Sequence, residues 1–233
     1  MKISRTGVLH LVSTPIGNME DITYRAVDTL KKVSLVAAED TRTSKKLFKH
    51  YMISTKLISF YEHNKYSRIP KLIGHLKRGN DLAIISDAGT PGISDPAYRI
   101  VRESLKNEIR ITSVPGATAV ISALVSSGLP TDRFLFEGFL PPKKGRKKRL
   151  EGIKDLDATI VYYESPRRLA RTLNDLEIVL GDRPAVVARE LTKLYEEYSR
   201  GTISELRRYY EKNIPKGEIV ILVGKGNKNV YFQ

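Results

Sequence analysis

The feature that most constrains this chain is the alternation of short, unbroken apolar runs with helical patterns. DLAIISD (81–87) holds four apolar residues in succession, with no polar alternation. A strand of that kind is buried on both faces, as in a parallel sheet covered by helices. VLHLVST (8–14), SLVAAED (34–40), LISF (57–60) and EIRITSV (108–114) read as its companions. Between them, Ile22, Ala26, Leu30 and Val33 recur at helical spacing. Further helices are expected near 43–50 and near 66–78, the latter carrying Ile69, Leu72, Ile73 and Leu76. Another starts near Pro96, with Asp95 as N-cap and proline at the first helical position. A β-α-β-α succession predicts a mainly parallel five-stranded sheet with helices on both sides.

The second half repeats the theme less regularly. A helical run, ATAVISALVSS (117–127), ends at Gly128. FLFEGF (134–139), ATIVYYE (158–164), AVVARELT (185–192), EYSRG (197–201) and EIVILVG (218–224) read as strands. The close spacing of 185–192 and 197–201 predicts a hairpin and hence a mixed sheet. The expected fold is therefore α/β, with two α/β domains at 1–115 and 116–226. The boundary is placed near Pro115-Gly116, where the fifth strand exits into a tight turn. Residues 227–233 read as a protease-site scar left by expression and are set aside from the fold argument.

Composition excludes several classes of function. There is no cysteine, so neither a disulfide scaffold nor a cysteine-ligated metal centre is available. The four histidines, His10, His50, His63 and His75, show no zinc-helix spacing, and no metal is expected. No stretch approaches the ~20 apolar residues of a membrane span. Residues 1–7 are short and polar, without a secretory core. A cytoplasmic location is expected. The 40 Lys and Arg exceed the 26 Asp and Glu by 14, which suggests a polyanionic partner. Six of the seven residues of KKGRKKR (143–149) are basic, and Arg167, Arg168, Arg171, Arg207 and Arg208 form smaller groups. The plainer alternative is a basic surface kept for solubility.

Four Gly/Pro-rich turns follow predicted strands: TPIGN (14–18), DAGTPG (87–92), VPGATA (114–119) and GFLPP (138–142). In open α/β sheets, ligands bind outside the carboxyl ends of the strands. Glycine lets the backbone approach a ligand, and proline fixes the turn. None of the four is a dinucleotide fingerprint or a P-loop. The pattern suits a ligand with an adenosine and an amino acid but no phosphates.

VSTPIGN, AAEDTR, SFYEHN, IISDAGTPGISDP, SVPGATA, FEGFLP, YYESPRRL and ARELTK occur in that order from Val8 to Gly224. Together they resemble the ribosomal RNA small-subunit methyltransferase I family, within the tetrapyrrole-methylase superfamily. The resemblance implies two α/β domains with S-adenosylmethionine in the cleft between them, and a homodimer. It implies 2′-O-methylation of a cytidine ribose, with small-subunit ribosomal RNA or the small ribosomal subunit as partner. Tetrapyrrole methylases usually show G-D-P where this chain has Ser86-Asp87-Ala88, which favours the RNA branch. By position, the implied cofactor contacts are Pro15, Asp87, Ala88, Gly89, Thr90, Thr118, Ala119, Glu164, Ala188, Arg189 and Glu218.

Methyl transfer to a hydroxyl gains most from positioning, and a general base adds ~10²–10⁴-fold. Base candidates near strand ends are Glu39, Asp40, His63 and Glu190. Arg42, Arg189 and Lys193 are suited to binding phosphate or lowering the pKa of the hydroxyl. Asp40, Arg42, His63 and Glu190 make up the catalytic set. Plainer roles compete: Asp40 as a helix cap, His63 as a surface residue, Glu190 as a partner of Lys193, and Asp87 as a turn-forming side chain. Lys143, Lys144, Arg146, Lys147, Lys148 and Arg149 are expected on a loop that grips RNA phosphates, against the alternative of a solvated loop. Tyr61, Tyr66, Tyr162 and Tyr163 are candidates for stacking on an unpaired base. Tyr162 and Tyr163 alternate along a strand, so one belongs to the core. Two further functions stay open: methylation of a precorrin-type tetrapyrrole, and RNA binding by an inactive member of the same fold.

Overall fold

The computed structural model describes residues 6–226, which fall into two compact units that divide between Thr118 and Ala119. The polar start up to residue 5 and the scar read at 227–233 lie outside the described residues.

The first unit alternates strands and helices: β1 (Leu9–Val12), α1 (Tyr24–Lys32), β2 (Leu35–Ala38), α2 (Thr41–His50), β3 (Leu57–Ser59), α3 (Lys65–Lys77), β4 (Leu82–Ile85), α4 (Ala97–Lys106) and β5 (Ile111–Val114). The strands form one fully parallel sheet in the order β3-β2-β4-β1-β5. The apolar run 82–85 explains the layering. Ala83 and Ile85 point to one face, with Val12, Val36, Ala38 and Val114, and α1 and α2 cover them through Ala26, Leu30, Leu47 and Phe48. Leu82 and Ile84 point to the other face, with Leu9 and Ala37, beneath Leu72, Ile73, Leu76, Ala97 and Ile100 of α3 and α4. Local capping sets the helix starts. The Thr23 hydroxyl accepts from the N–H of Ala26 at 3.1 Å, and Asp40 caps α2. At α4, Pro96 takes the cap position, and Asp95 accepts from Ala97 N–H at 2.8 Å.

The second unit holds α5 (Ala119–Ser127), β6 (Phe134–Phe139), α6 (Arg146–Glu151), β7 (Thr159–Glu164), α7 (Leu169–Leu180), β8 (Pro184–Arg189), β9 (Glu197–Thr202), α8 (Ile203–Lys212) and β10 (Ile219–Val223). Its sheet runs β6-β7-β10-β8-β9, parallel only between β6 and β7, with β8 and β9 paired antiparallel as the predicted hairpin. Leu169, Leu173, Leu176, Ile203, Leu206 and Tyr210 pack on one sheet face against Ile160, Tyr162, Ala185, Val187 and Ile221. Tyr162 is thus the core member of the tyrosine pair, while Tyr163 meets the rings of Phe136 and Phe139. The Arg200 guanidinium donates to the final carbonyls of α5, Ser126 and Ser127. It meets the negative end of the helix there. Among the described residues no helix is long and apolar enough to cross a membrane.

Candidate functional site

Chain direction selects one place in the first sheet. From β1 the chain crosses to α1 on one face; from its neighbour β4 it crosses to α4 on the other. Loops that leave adjacent strands toward opposite faces open a crevice at the carboxyl edge, the general ligand position in such sheets. Three of the four Gly/Pro-rich turns lie at this edge, and the fourth leaves β6 in the second unit.

The three turns are tied together by backbone and hydroxyl groups. Thr14 and Gly89 exchange both backbone hydrogen bonds, at 2.9 and 3.1 Å, in an isolated bridge between the loops after β1 and β4. Gly89 has φ +83°, and a Cβ there would stand 3.2 Å from Ile16 Cγ2. The hydroxyls of Ser13 and Thr90 are 2.9 Å apart, and Thr90 donates to Ala117 O at 3.1 Å. At Gly116 a Cβ would meet Ser13 Cβ at 2.9 Å. These contacts keep residues 115–118 with the first unit. Pro15 is half-buried on this edge, and Asp87 and Ala88 are exposed beside it.

Four carboxylates gather at the exits of β2 and β4. Asp87 accepts from the backbone N–H of Asp40 at 2.8 Å, and its own N–H faces Glu39 Oε2 at 3.4 Å. Asp87 therefore bonds the neighbouring strand's exit rather than its own turn. Asp95 accepts from Gly92 N–H at 2.7 Å, and burial pushes its carboxyl up. Burial first, and then the negative charge of Asp87, also raises Glu39 above the usual carboxylate range. Asp40 goes the other way. Its carboxylate caps α2 and takes a two-pronged hydrogen bond from the Arg42 guanidinium, which holds its pKa down at about 2.

That geometry shows the surroundings of each member of the expected catalytic set. Asp40 serves as helix cap and partner of Arg42, and its low pKa makes it a weak base. Arg42 is committed to Asp40. His63 is exposed and sits edge-on to the Tyr61 ring, 6.2 Å between centroids. Glu190 lies in the second unit, with φ +51° in the turn after β8. It accepts from Lys193 and from the N–H of Glu218, each at 2.9 Å, and the Lys193 hydrogen bond holds it below the usual range. It braces that turn. Among the carboxylate candidates Glu39, Asp40 and Glu190, Glu39 is the one that its surroundings make more basic.

The residues expected from the second unit have local partners. Glu164 is buried and accepts from Thr172 Oγ1 at 2.6 Å and from Ser165 N–H at 2.8 Å. Ala188 is buried between β10 and β9. Arg189 pairs with Glu197 at 2.8 Å, and Glu218 with Lys193 at 2.9 Å. Thr118 ends the first unit and Ala119 opens α5. The basic segment is corrected: its second half is a short helix, α6, rather than a loop. Arg146 is 5% exposed and donates to Asp175 at 2.6 Å and to Thr172 at 2.8 Å. Arg149 pairs with Glu137, and Lys147 with Glu151. Lys143, Lys144, Lys147 and Lys148 remain exposed.

Sequence reasoning missed Ser13 and Asp95 as parts of the edge. The available signals were a hydroxyl at a buried strand's end and an acid before a proline-started helix.

Comparisons with known proteins bear on this edge. The chain matches the family model of the Tetrapyrrole (Corrin/Porphyrin) Methylases over residues 8–207. It is 49% identical over 224 residues to the Ribosomal RNA small subunit methyltransferase I of Halalkalibacterium halodurans, covering 95% of this chain and 78% of the relative. The protein of that name from Thermotoga maritima is 48% identical over 220 residues, covering 94% and 99%. Among solved structures, diphthine synthase superposes with a TM-score of 0.74 at 12% identity, covering 94% of this chain and 90% of that one. A uroporphyrin-III-C-methyltransferase from Thermus thermophilus gives 0.67 at 18%, covering 94% and 95%. At such identities the structural likeness concerns the fold alone.

Proposed function

The chain belongs to the tetrapyrrole methylase family, and from that premise we propose that it methylates small-subunit ribosomal RNA with S-adenosylmethionine, at the ribose 2′-oxygen of a cytidine. The observation that carries the reading is the carboxylate cluster at the exits of β2 and β4. Carboxyls crowded and partly desolvated there repel one another, and a cationic ligand relieves that repulsion. The lack of a phosphate-binding loop beside them agrees with a phosphate-free ligand. The strong likeness to relatives named for ribosomal RNA supplies the substrate class.

S-adenosylmethionine, when bound, supplies an electrophilic methyl group on a cationic sulfur. Asp87 and Glu39 offset that charge. The Thr14–Gly89 bridge holds the backbone in place, and Pro15, Ala88, Thr90 and Thr118 line the same edge. With the donor bound, the Glu39 carboxylate would accept the ribose hydroxyl proton as that oxygen bonds to the methyl carbon and the carbon–sulfur bond breaks, leaving a neutral thioether. A raised pKa suits that task, because a base works best when its pKa lies near the working pH. A cytoplasmic homodimer completes the reading, and sedimentation tests the dimer.

The deciding experiment incubates the purified protein with methyl-labelled S-adenosylmethionine and, separately, small-subunit RNA, small subunits and a precorrin. Label in RNA that maps to a ribose 2′-oxygen is expected. Label confined to the macrocycle, or RNA binding without label, overturns the reading.

A further inference from the structure

We propose that the solvent face of α2 is a phosphate-binding rail that leads single-stranded RNA to the carboxyl edge of the first sheet; this rests on the reading of the chain as an RNA methylase. Arg42, Lys45, Lys46 and Lys49 fall at i, i+3, i+4 and i+7, so they share one stripe of the helix. The stripe spans about 10 Å. All four are exposed, but Arg42 is paired with Asp40, so Lys45, Lys46 and Lys49 are the cations of the stripe open to phosphate; the opposite face buries Ser44, Leu47 and Phe48.

The helix contains no Asp or Glu, and among the described residues no carboxylate lies within ion-pair distance of Lys45, Lys46 or Lys49. Other helices set a cation against a carboxylate one turn away: Asp28–Lys32 in α1, Glu103–Lys106 in α4, Lys147–Glu151 in α6 and Arg207–Glu211 in α8. Like charges at these spacings destabilise a helix, so the stripe costs the free protein stability. A polyanion lying along it removes that cost.

Position gives the stripe its direction. Arg42 lies two residues beyond Asp40, whose N–H is bonded to Asp87, so the rail begins at the carboxylate cluster. β3 pairs with β2 in the register Ala38↔Ser59, which brings Tyr61 out beside Asp40. Tyr61 and Tyr66 are exposed, and Arg99 lies 5.1 Å from the Tyr66 ring. Cations for the backbone beside exposed rings for the bases are the signature of single-strand recognition. A membrane-surface helix needs large apolar residues on the face that meets the lipid; the other exposed residues of α2 are Thr43 and His50. In the 143–149 segment Arg146 and Arg149 are spent on Asp175 and Glu137, and Lys147 on Glu151.

The test measures binding of an unpaired small-subunit RNA fragment by fluorescence anisotropy between about 50 and 200 mM salt. The triple variant K45Q/K46Q/K49Q is expected to bind more weakly, with the slope of log K against log salt smaller by about 2, at about 0.7 per phosphate lost. K46Q alone is expected to reduce it by about 0.7, and K45R/K46R/K49R to restore it. Affinity for S-adenosylmethionine is expected to be unchanged. An unchanged slope in the triple glutamine variant overturns the rail, whether or not RNA is methylated. A reduced slope supports it even if no label reaches RNA, so the two readings fail separately.

Discussion

The backbone N–H of Asp40 donates to Oδ1 of Asp87 across 2.8 Å, tying the exit of β2 to the exit of β4. Asp87 thereby accepts a hydrogen bond that ties two strand exits, and in the proposed site it also supplies a negative charge for the ligand. Asp87→Asn keeps the acceptor and removes the charge. It is expected to weaken S-adenosylmethionine binding about ten- to a hundredfold, the range for a hydrogen bond or contact to a charged group. Asp87→Arg is expected to abolish it. Calorimetry giving wild-type affinity for both variants would remove Asp87 from the site.

Glu39 makes a pH-dependent prediction. Its carboxyl is raised by burial and by Asp87, so activity is expected to climb with pH through a midpoint above the ordinary carboxylate value. Glu39→Gln is expected to lower kcat by ~10²–10⁴ and erase that limb. Stability moves oppositely. A raised carboxyl favours folding while protonated and loses that contribution as pH rises through its folded pKa. Glu39→Gln should therefore melt above wild type at neutral pH, and the gap should close in acid.

Asp40 has the reverse sign. Its pKa is about 2 in the fold against an ordinary 3.8, so its stabilisation is present above 3.8 and lost as pH falls through about 2. Asp40→Asn retains a cap and loses the Arg42 pair. Thermal melts should place it below wild type at pH 7, with the difference shrinking below pH 4.

Arg146 is a structural cation, unlike its exposed neighbours Lys143 and Lys144. Removing one partner of a buried pair costs about 3 kcal/mol, because the other is left uncompensated. Arg146→Ala should lower Tm by roughly 6–12 °C. Lys143→Gln with Lys144→Gln should change stability by less than about 0.5 kcal/mol for each substitution. Equal melting of both variants would contradict the burial of Arg146 against Asp175 and Thr172.

Gly89 occupies φ +83° against Ile16. A left-handed backbone costs a residue with a Cβ about 1–2 kcal/mol. Gly89→Ala is expected to destabilise by that amount and to weaken cofactor binding, as chemical denaturation and calorimetry would show.

Much of the fold was legible in one dimension. The apolar run 82–85 announced a doubly covered strand, and the close spacing of 185–192 and 197–201 announced a hairpin. Periodicity and turn residues are local, and they determine which stretches become strands or helices and which faces turn inward. The turns TPIGN, DAGTPG and VPGATA likewise declared themselves through glycine and proline. The sequence could also show that Arg42, Lys45, Lys46 and Lys49 share a helical stripe, because that follows from spacing alone.

Tertiary structure decided what each charge is for. Glu39 and Asp40 are neighbours in sequence, yet one is raised by burial and by a carboxylate 48 residues away, and the other lowered by Arg42. Arg146 looked like its basic neighbours until Asp175, 29 residues on, claimed it. A charge's role depends on the dielectric around it and on the partner within a few ångströms. Folding supplies both, from residues far apart along the chain.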